Sequence, residues 1–195
     1  MDENNKIPVE VSARHIHLSQ QHLDLLFGEG YKLTLLKRLT QPCDFAAQET
    51  LDVRMGSKLI PNVRIIGPVR ENTQIELSRT DAINLKIKPP VRLSGDLAGS
   101  ASITLVGPRA TVDLDQGAII AQRHIHASPS EAQQMGLTEG MLVSVSVESQ
   151  RPVTFHNVKV RTRGDYKLCM HVDTDEGNAA DIDKKAEGLL IKLEL

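Results

Sequence analysis

Short stretches of alternating hydrophobic and polar residues recur along most of the chain. Residues 7–13 and 141–147 place hydrophobic side chains at every second position, and residues 153–160 do so on either side of Asn157. Because successive side chains of a β-strand point to opposite faces of the sheet, this alternation predicts strands with one buried face. The chain is therefore predicted to consist mainly of short β-strands.

Short helices are predicted between some of these strands, at places where a capping residue or a helix breaker marks an end. Ser19 can cap the first helix and Gly28 can end it, and Ser128 can cap the third. The predicted helices cover residues 20–27, 80–85, a segment that begins at Pro129, and 179–186. Many short strands with single short helices favour small barrels over a parallel sheet, which needs long crossover helices.

A five-residue motif, made of a strand end and a capping residue, recurs along the chain. Its copies are His15-Ile16-His17-Leu18-Ser19, Gln74-Ile75-Glu76-Leu77-Ser78, His124-Ile125-His126-Ala127-Ser128 and, more loosely, His171-Val172-Asp173-Thr174-Asp175. Each copy is followed by a predicted short helix. Such a repeat predicts two pseudo-symmetric barrels, and we expect the four strand ends to converge on one cleft between them.

The two His-Ile-His sequences predict metal binding. Residues two positions apart on a strand point to the same face, whereas on a helix they would lie about 200° apart. Neutral imidazole is a preferred ligand of zinc and of neighbouring metals. The alternative is that these are surface histidines beside arginines, repeated because the domain was duplicated.

Six side chains in the four motifs can donate to a metal ion. They are His15, His17, Glu76, His124, His126 and His171. Six donors exceed the four positions of one tetrahedral zinc ion, so they divide into two sites of three, each with one position open to substrate. The alternatives are a solvated carboxylate for Glu76 and a packed core imidazole for His171. Gln74 and Asp173 occupy the two remaining motif positions.

The two cysteines suggest a reducing compartment. Cys43 has no partner pattern, so no disulfide framework is predicted and the cytoplasm is the expected location. Cys169 shares a strand face with His171, and it is either a further ligand or a buried thiol. His22 and His156 lie outside the repeated positions and are predicted to be surface residues.

Composition excludes several classes of function. The 195 residues are 40% hydrophobic but only 3% aromatic, so the core must be built from aliphatic side chains. A formal net charge of −2, with both signs interspersed, argues against binding to nucleic acid. No apolar run is long enough to span a bilayer, and the polar N-terminus is unlike a signal peptide.

Arg70 is a candidate anion-binding residue. It follows Gly67-Pro68 and precedes the Glu76 motif, and a guanidinium beside a metal site binds phosphate oxygens in a fork. Arg14 and Arg123, which precede the two histidine pairs, are predicted to serve a barrel wall or a diphosphate. The sequence contains no nucleophile elbow, phosphate loop, dinucleotide fingerprint or zinc-protease motif. This argues against serine acyl transfer, nucleotide hydrolysis and nicotinamide chemistry.

Four stretches of the chain, all in order, resemble the phosphotransacylases of the propanediol-utilisation type, the phosphate propanoyltransferases. They are residues 9–19, Gly67-Pro68-Val69-Arg70 with Glu76-Leu77-Ser78, residues 122–126, and residues 170–178. The resemblance extends from about Pro8 to Leu195. It implies two capped β-barrels, the first formed by residues 1–13 with 122–195 and the second by residues 14–121.

The resemblance also implies a reaction and the residues for it. His15, His17 and Glu76 would hold one zinc ion, His124, His126 and His171 a second, and Arg70 would bind phosphate. The implied reaction is the reversible transfer of a propionyl or acetyl group from CoA to inorganic phosphate by direct displacement, without an acyl-enzyme. Acyl-CoA and phosphate are the implied partners, and a homodimer is expected.

Family members of bacterial microcompartments usually have an amphipathic N-terminal extension, whereas few residues here precede the first strand. We therefore expect a free cytoplasmic enzyme rather than one associated with a shell. Two other functions use the same residues. One is a zinc-dependent hydrolase of thioesters or phosphoesters, with water as the nucleophile. The other is a non-catalytic ligand-binding barrel with structural histidines.

Overall fold

The computed structural model describes residues 5–191, which form mainly β-strands. The strands are β1 (Lys6–Val11), β2 (His15–His17), β3 (Leu35–Arg38), β4 (Phe45–Met55), β5 (Lys58–Gly67), β6 (Gln74–Leu77), β7 (Val91–Arg92), β8 (Ala101–Val106), β9 (Thr111–Ala121), β10 (His124–Ala127), β11 (Leu142–Val147), β12 (Val153–Thr162), β13 (Cys169–Val172) and β14 (Lys185–Ile191). The helices are α1 (Gln20–Phe27), α2 (Arg79–Leu85), α3 (Pro129–Gln134) and α4 (Thr174–Ala179). The prediction of a mainly β chain with short helices is confirmed.

The chain divides into two compact units. Unit 1 takes in the described parts of Met1–Ser12 and Gln122–Leu195, together with the short segment Thr40–Pro42. Unit 2 takes in Ala13–Leu39 and Cys43–Ala121.

Unit 1 contains a closed six-stranded barrel in the order β1-β13-β10-β12-β11-β14. Its interior is aliphatic, as the alternating strands predict, and includes the fully buried Ile7, Val9, Val145, Val160 and Met170. The closed ring leaves no strand edge of this barrel unpaired, which satisfies the backbone hydrogen-bonding groups without covering elements.

Unit 2 contains a second closed ring of six strands. Strands β4, β5, β2, β6, β9 and β8 pair in that order, and β8 pairs again with β4. Strand β3 adds to β4 and strand β7 adds to β9. Its core includes Ile16, Leu51, Ile65, Ile75 and Leu105. The prediction of two small β-barrels is confirmed.

The two barrels have the same pattern of strand pairing. In unit 1, β10 pairs antiparallel with β13 and parallel with β12; in unit 2, β2 pairs antiparallel with β6 and parallel with β5. The N-terminal strand β1 pairs with β13 as β9, the last strand of unit 2, pairs with β6. Unit 1 thus has the strand pairing of unit 2 in circularly permuted order, and this shared pairing supports the pseudo-symmetry predicted from the repeated motif.

Polar caps begin all four described helices. The hydroxyl of Ser19 accepts a hydrogen bond from the backbone of His22, and Ser78 and Ser128 form reciprocal capping boxes with acidic residues. Asp173 caps α4 in the same way, through Glu176. These caps satisfy backbone donors that a helix start leaves without partners.

Three predicted elements are placed differently by the structure. The helix predicted over residues 179–186 is α4, which begins at Thr174 because Asp173 is its cap. The single strand predicted over residues 118–126 is two strands, β9 and β10, because the chain passes there from unit 2 to unit 1. The predicted last strand, 189–195, is observed from Lys185 to Ile191, and residues 192–195 lie outside the described range. Among the described helices, none combines the length and the apolarity that a membrane span requires.

Candidate metal centres

The strand pairing places the candidate ligands opposite one another in each barrel. In unit 2, β2 and β6 set His15 opposite Glu76 and His17 opposite Gln74. In unit 1, β10 and β13 set His124 opposite His171 and His126 opposite Cys169. His171 therefore corresponds to Glu76, and Cys169 corresponds to Gln74.

This correspondence shifts the fourth motif by two residues from its predicted alignment. Cys169-Met170-His171-Val172-Asp173 lies over Gln74-Ile75-Glu76-Leu77-Ser78, so Asp173 matches the capping serine rather than a ligand position. Its carboxylate accepts a hydrogen bond of 2.8 Å from the backbone of Glu176. The prediction that Asp173 occupies a ligand position is wrong, because the helix cap uses its side chain.

In unit 2, three donor side chains form a tight group, the unit 2 ligand set (His15, His17 and Glu76). The two Nε2 atoms of the histidines are 3.2 Å apart. The carboxylate oxygens of Glu76 lie 3.6 Å from His15 Nε2 and 4.0 Å from His17 Nε2. His17 and Glu76 are buried, and the side chain of His15 is only 12% exposed.

Backbone carbonyl groups fix the tautomers of these two histidines. His15 Nδ1 lies 2.9 Å from the Ala13 carbonyl oxygen, and His17 Nδ1 lies 3.1 Å from that of Ile66. A carbonyl only accepts, so each Nδ1 must donate a proton. The Nε2 lone pairs consequently face each other, an arrangement that a bound cation would stabilise. This donor set fits a metal ion with two imidazole ligands and one carboxylate ligand.

Burial keeps His17 neutral. Loss of solvent lowers the pKa of its imidazole well below the usual value, and the nearby His15 and Arg70 lower it further. A neutral imidazole retains the lone pair that a metal ion requires.

A chain of hydrogen bonds joins Arg70 to the unit 2 ligand set. Arg70 donates to the hydroxyl of Ser94 over 3.1 Å, and the amide of Gln74 donates to the same oxygen over 2.9 Å. The Gln74 amide also donates to Glu76 over 2.6 Å, and its oxygen accepts from the backbone of Gly95. A half-buried guanidinium is thus held two side chains away from a carboxylate ligand.

In unit 1, three imidazoles form the corresponding group, the unit 1 ligand set (His124, His126 and His171). The ring centroids are 4.5 Å apart for His124 and His126, 5.4 Å for His124 and His171, and 5.1 Å for His126 and His171. His124 Nδ1 lies 2.8 Å from the Gln122 carbonyl oxygen, so its proton is on Nδ1 and its lone pair on Nε2.

His126 has no hydrogen-bond partner among the described residues. Both of its ring nitrogens are buried, and neither donates to nor accepts from a neighbour. Burial and the adjacent imidazoles of His124 and His171 lower its pKa far below the usual range. A buried polar atom without a partner is costly, and a metal ion at one nitrogen would satisfy it. The unit 1 ligand set therefore also fits a metal ion.

Cys169 is a buried thiol beside this set rather than a reactive one. It lies with Glu10 and His171 in a group whose donor atoms are all within 4.8 Å of one another. Burial, and then the Glu10 carboxylate, raises the pKa of the thiol to about 12. Glu10 itself accepts hydrogen bonds from Thr40 and Lys185. Without a metal ion this thiol is protonated and its neighbour Glu10 is already hydrogen-bonded, which favours the buried-thiol alternative.

The arginines that precede the histidine pairs contact helix starts. Arg14 pairs with Asp81 over 2.8 Å, and Arg123 pairs with Glu176 over 2.5 Å. Both carboxylates are the third residue of a helix and belong to its capping box. The two ion pairs therefore occupy equivalent positions in the two barrels and join strand to helix.

Several residues near the ligand sets were not identified from the sequence. Ser94 joins Arg70 to Gln74, while Gln41 and Tyr166 contact the unit 1 ligand set. None of them belongs to a repeated motif, so only the folded chain identifies them. His22, predicted to be a surface residue, is partly buried against Thr73, with 2.8 Å between Nδ1 and the hydroxyl oxygen.

Comparisons with a family model and with individual proteins all identify the same family. A family model described as phosphate propanoyltransferase matches residues 8–183. The chain is 52% identical to a phosphate propanoyltransferase of Lachnoclostridium phytofermentans, over 90% of this chain and 83% of the relative. It is 50% identical to one of Thermotoga maritima, over 89% and 83%, and 44% identical to one of Alkaliphilus metalliredigens, over 96% and 88%.

Proposed function

The chain belongs to the phosphate propanoyltransferase family and is a phosphate acyltransferase, and from that premise we propose a specific reaction for it. The proposed reaction moves a short acyl group, propionyl or acetyl, reversibly between CoA and inorganic phosphate. A phosphate oxygen forms a bond to the thioester carbonyl carbon, and the carbon–sulfur bond breaks. The products are acyl phosphate and CoA.

The hydrogen-bonded chain from Arg70 to the unit 2 ligand set is the observation on which the proposal rests most directly. Guanidinium N–H groups match phosphate oxygens in geometry and charge. Because Ser94 and Gln74 tie Arg70 to Glu76, a phosphate held by Arg70 would lie at a fixed position relative to the ligand set. We assign Arg70 to phosphate binding and His15, His17 and Glu76 to a metal ion.

The unit 1 ligand set is assigned to the thioester. Its three imidazoles suit zinc, a metal that also accepts sulfur. A zinc ion in each set would supply Lewis-acid stabilisation of the phosphate, of the thioester oxygen and of the departing sulfur. His15, His17 and His124 contribute lone pairs on fixed tautomers, so little reorganisation of these rings is needed when a metal ion binds.

Direct displacement is favoured over an acyl-enzyme. Burial raises the pKa of the Cys169 thiol to about 12. The thiol is therefore protonated and is a poor nucleophile. Positioning of phosphate and thioester can supply most of the rate, since effective molarities of well-oriented reactants are large.

The test is release of thiol from propionyl-CoA and acetyl-CoA, with and without phosphate, before and after removal of metal with a chelator. We expect release that needs both phosphate and metal, that returns when zinc is restored, and that has a counterpart in the reverse direction with acyl phosphate and CoA. The ratio of the two rates identifies the preferred acyl group.

Other outcomes would contradict the proposal in distinguishable ways. Thiol release that proceeds without phosphate would indicate the zinc-dependent hydrolase. Release that needs phosphate but survives complete removal of metal would reject the role of the two ligand sets. No release under any condition would leave the histidines in a non-catalytic barrel.

A further inference from the structure

The histidines of the two ligand sets differ in what holds their rings. His15, His17 and His124 each donate from Nδ1 to a backbone carbonyl, at distances of 2.9, 3.1 and 2.8 Å. His126 makes no such bond, since neither of its nitrogens has a partner among the described residues. Outer hydrogen bonds normally orient a metal-binding histidine. Something else must therefore set the orientation of His126.

An aromatic ring lies directly on His126. The ring centroids of His126 and Tyr166 are 3.9 Å apart, and the planes are inclined by 22°, which is a stacked arrangement. On Tyr166 the guanidinium of Arg163 lies 4.3 Å from the ring centroid, and Arg163 is in turn paired with Asp165 over 2.9 Å. Stacking and cation–π contacts of this kind limit the rotation of both rings.

A second side chain fixes the loop to which Tyr166 belongs. Gln41, which is buried, donates from its amide nitrogen to the Lys167 carbonyl oxygen over 3.0 Å and accepts from the Lys167 backbone nitrogen over 3.1 Å. This two-point contact defines which end of the amide is oxygen. The second N–H faces the lone pair of His171 Nε2 at 3.4 Å, so the same amide also contacts a histidine of the unit 1 ligand set.

We propose that Tyr166 is a positioning residue that holds His126 in the orientation for metal binding, and that Gln41 supports it by fixing the Tyr166 loop. This inference rests on the proposed function, because it presumes that the unit 1 ligand set binds a metal ion. It assigns no chemical step to either residue. The Tyr166 ring, rather than its hydroxyl, is the active feature.

The test measures zinc affinity of the metal-free full-length chain by competition with a chromogenic chelator. The variants are Tyr166→Leu, which removes the stacked ring, Tyr166→Phe, which keeps it, and Gln41→Met, which keeps the side-chain length but loses both polar ends. His124→Ala should lose the zinc ion of unit 1, so comparison with the wild type identifies which of the two zinc-binding steps belongs to unit 1. Cobalt-loaded samples report the coordination geometry through their visible absorption.

We expect the wild type and Tyr166→Phe to bind two ions with the same affinities. Tyr166→Leu and Gln41→Met should each weaken the unit 1 ion by roughly 10-fold and alter its cobalt spectrum, while the unit 2 ion keeps its affinity. The unit 2 ion is thus an internal control for folding, and Gln41→Met tests the idea with Tyr166 intact should Tyr166→Leu fold poorly.

Two results would overturn the inference. Unchanged or tighter binding of the unit 1 ion in both Tyr166→Leu and Gln41→Met would show that neither residue positions a ligand, although the proposed function would stand. A wild-type chain that binds no ion at the unit 1 set, with His124→Ala indistinguishable from it, would reject both the inference and the two-metal proposal.

Discussion

The unit 1 and unit 2 ligand sets occupy the same positions of two equivalent barrels, yet they differ in chemistry. Unit 2 combines two imidazoles with a carboxylate, whereas unit 1 offers three imidazoles, with His171 opposite His124 where Glu76 is opposite His15. The backbone pairing is the same in both barrels, and one of the three donor side chains differs. The two barrels therefore share the ladder positions of all three donors and the residue type of two of them.

The two ligand sets also differ in the side chains that surround them. Gln74 in unit 2 links a ligand carboxylate to Ser94 and Arg70, and Cys169 at the equivalent position in unit 1 faces Glu10. Unit 2 is thus connected by hydrogen bonds to a cationic group suited to phosphate, whereas in unit 1 His126 is stacked on Tyr166, with Arg163 over that ring. We infer that the two copies have diverged toward different parts of one reaction.

Loss of a metal ligand should produce the largest effect. Glu76→Ala and His124→Ala are each expected to remove one of two zinc ions and to lower kcat/KM for phosphate-dependent thiol release about 10³-fold, since Lewis-acid stabilisation is worth several kcal/mol. Metal analysis together with rate measurement checks this. The exposed His156 provides a matched control, because His156→Ala should keep both ions. Retention of two zinc ions in either ligand variant would reject that assignment.

Removal of Arg70 should impair the use of phosphate without affecting zinc binding at either ligand set. Arg70→Ala is expected to keep both zinc ions but to lower kcat/KM for phosphate roughly 10²-fold, since one preorganised charge-assisted donor group is lost. Arg70→Lys should recover part of the loss, because lysine keeps the charge but not the fork. Initial rates over a range of phosphate concentrations measure the effect, with Arg54→Ala, at an exposed arginine of β4, as the control. Normal phosphate dependence in Arg70→Ala would refute the assigned role.

Much of the fold follows from the sequence because strand alternation and capping are local signals. The boundaries of α1 agree with the prediction, since Ser19 and Gly28 mark both ends. The fourth motif was misaligned because an aspartate can be either a ligand or a helix cap, and the sequence does not distinguish them. Ser94, Gln41 and Tyr166 escape prediction because their roles depend on long-range contacts. Gln41 and Lys167, for example, are 126 positions apart in the chain.

The equivalent residues Gln74 and Cys169 should respond differently to substitution. Gln74→Met removes the 2.6 Å hydrogen bond to Glu76, and we expect the unit 2 ion to bind about 10-fold more weakly. Cys169→Ala should leave the affinity of the unit 1 ion unchanged, because the protonated thiol is not a ligand. Chelator competition on the two variants measures both effects side by side. An equal loss of zinc affinity in Cys169→Ala would mean that the thiol binds the ion after all.

The substitution with the smallest expected effect, at Asp173, tests the corrected alignment of the fourth motif. Asp173→Ala removes the cap of α4 and should lower the free energy of unfolding by about 1 kcal/mol, whereas Asp173→Asn should keep most of it, because asparagine caps almost as well. Asp175→Ala removes an acidic charge from the first turn of α4 but keeps the cap, and a loss of a few tenths of a kcal/mol is expected.

Urea denaturation of the zinc-loaded chain measures these differences, and zinc affinity should be the same in all three variants. If Asp173 occupied a ligand position instead, Asp173→Ala would weaken zinc binding at the unit 1 ligand set. Asp175 would then be the capping residue, as in the predicted alignment, so Asp175→Ala would show the larger loss of stability. The pairing of Glu176 with Arg123, which matches that of Asp81 with Arg14, favours the first result. A capping box, with an arginine paired to its acidic third residue, then recurs in both barrels as one structural unit that supports the ligand strands.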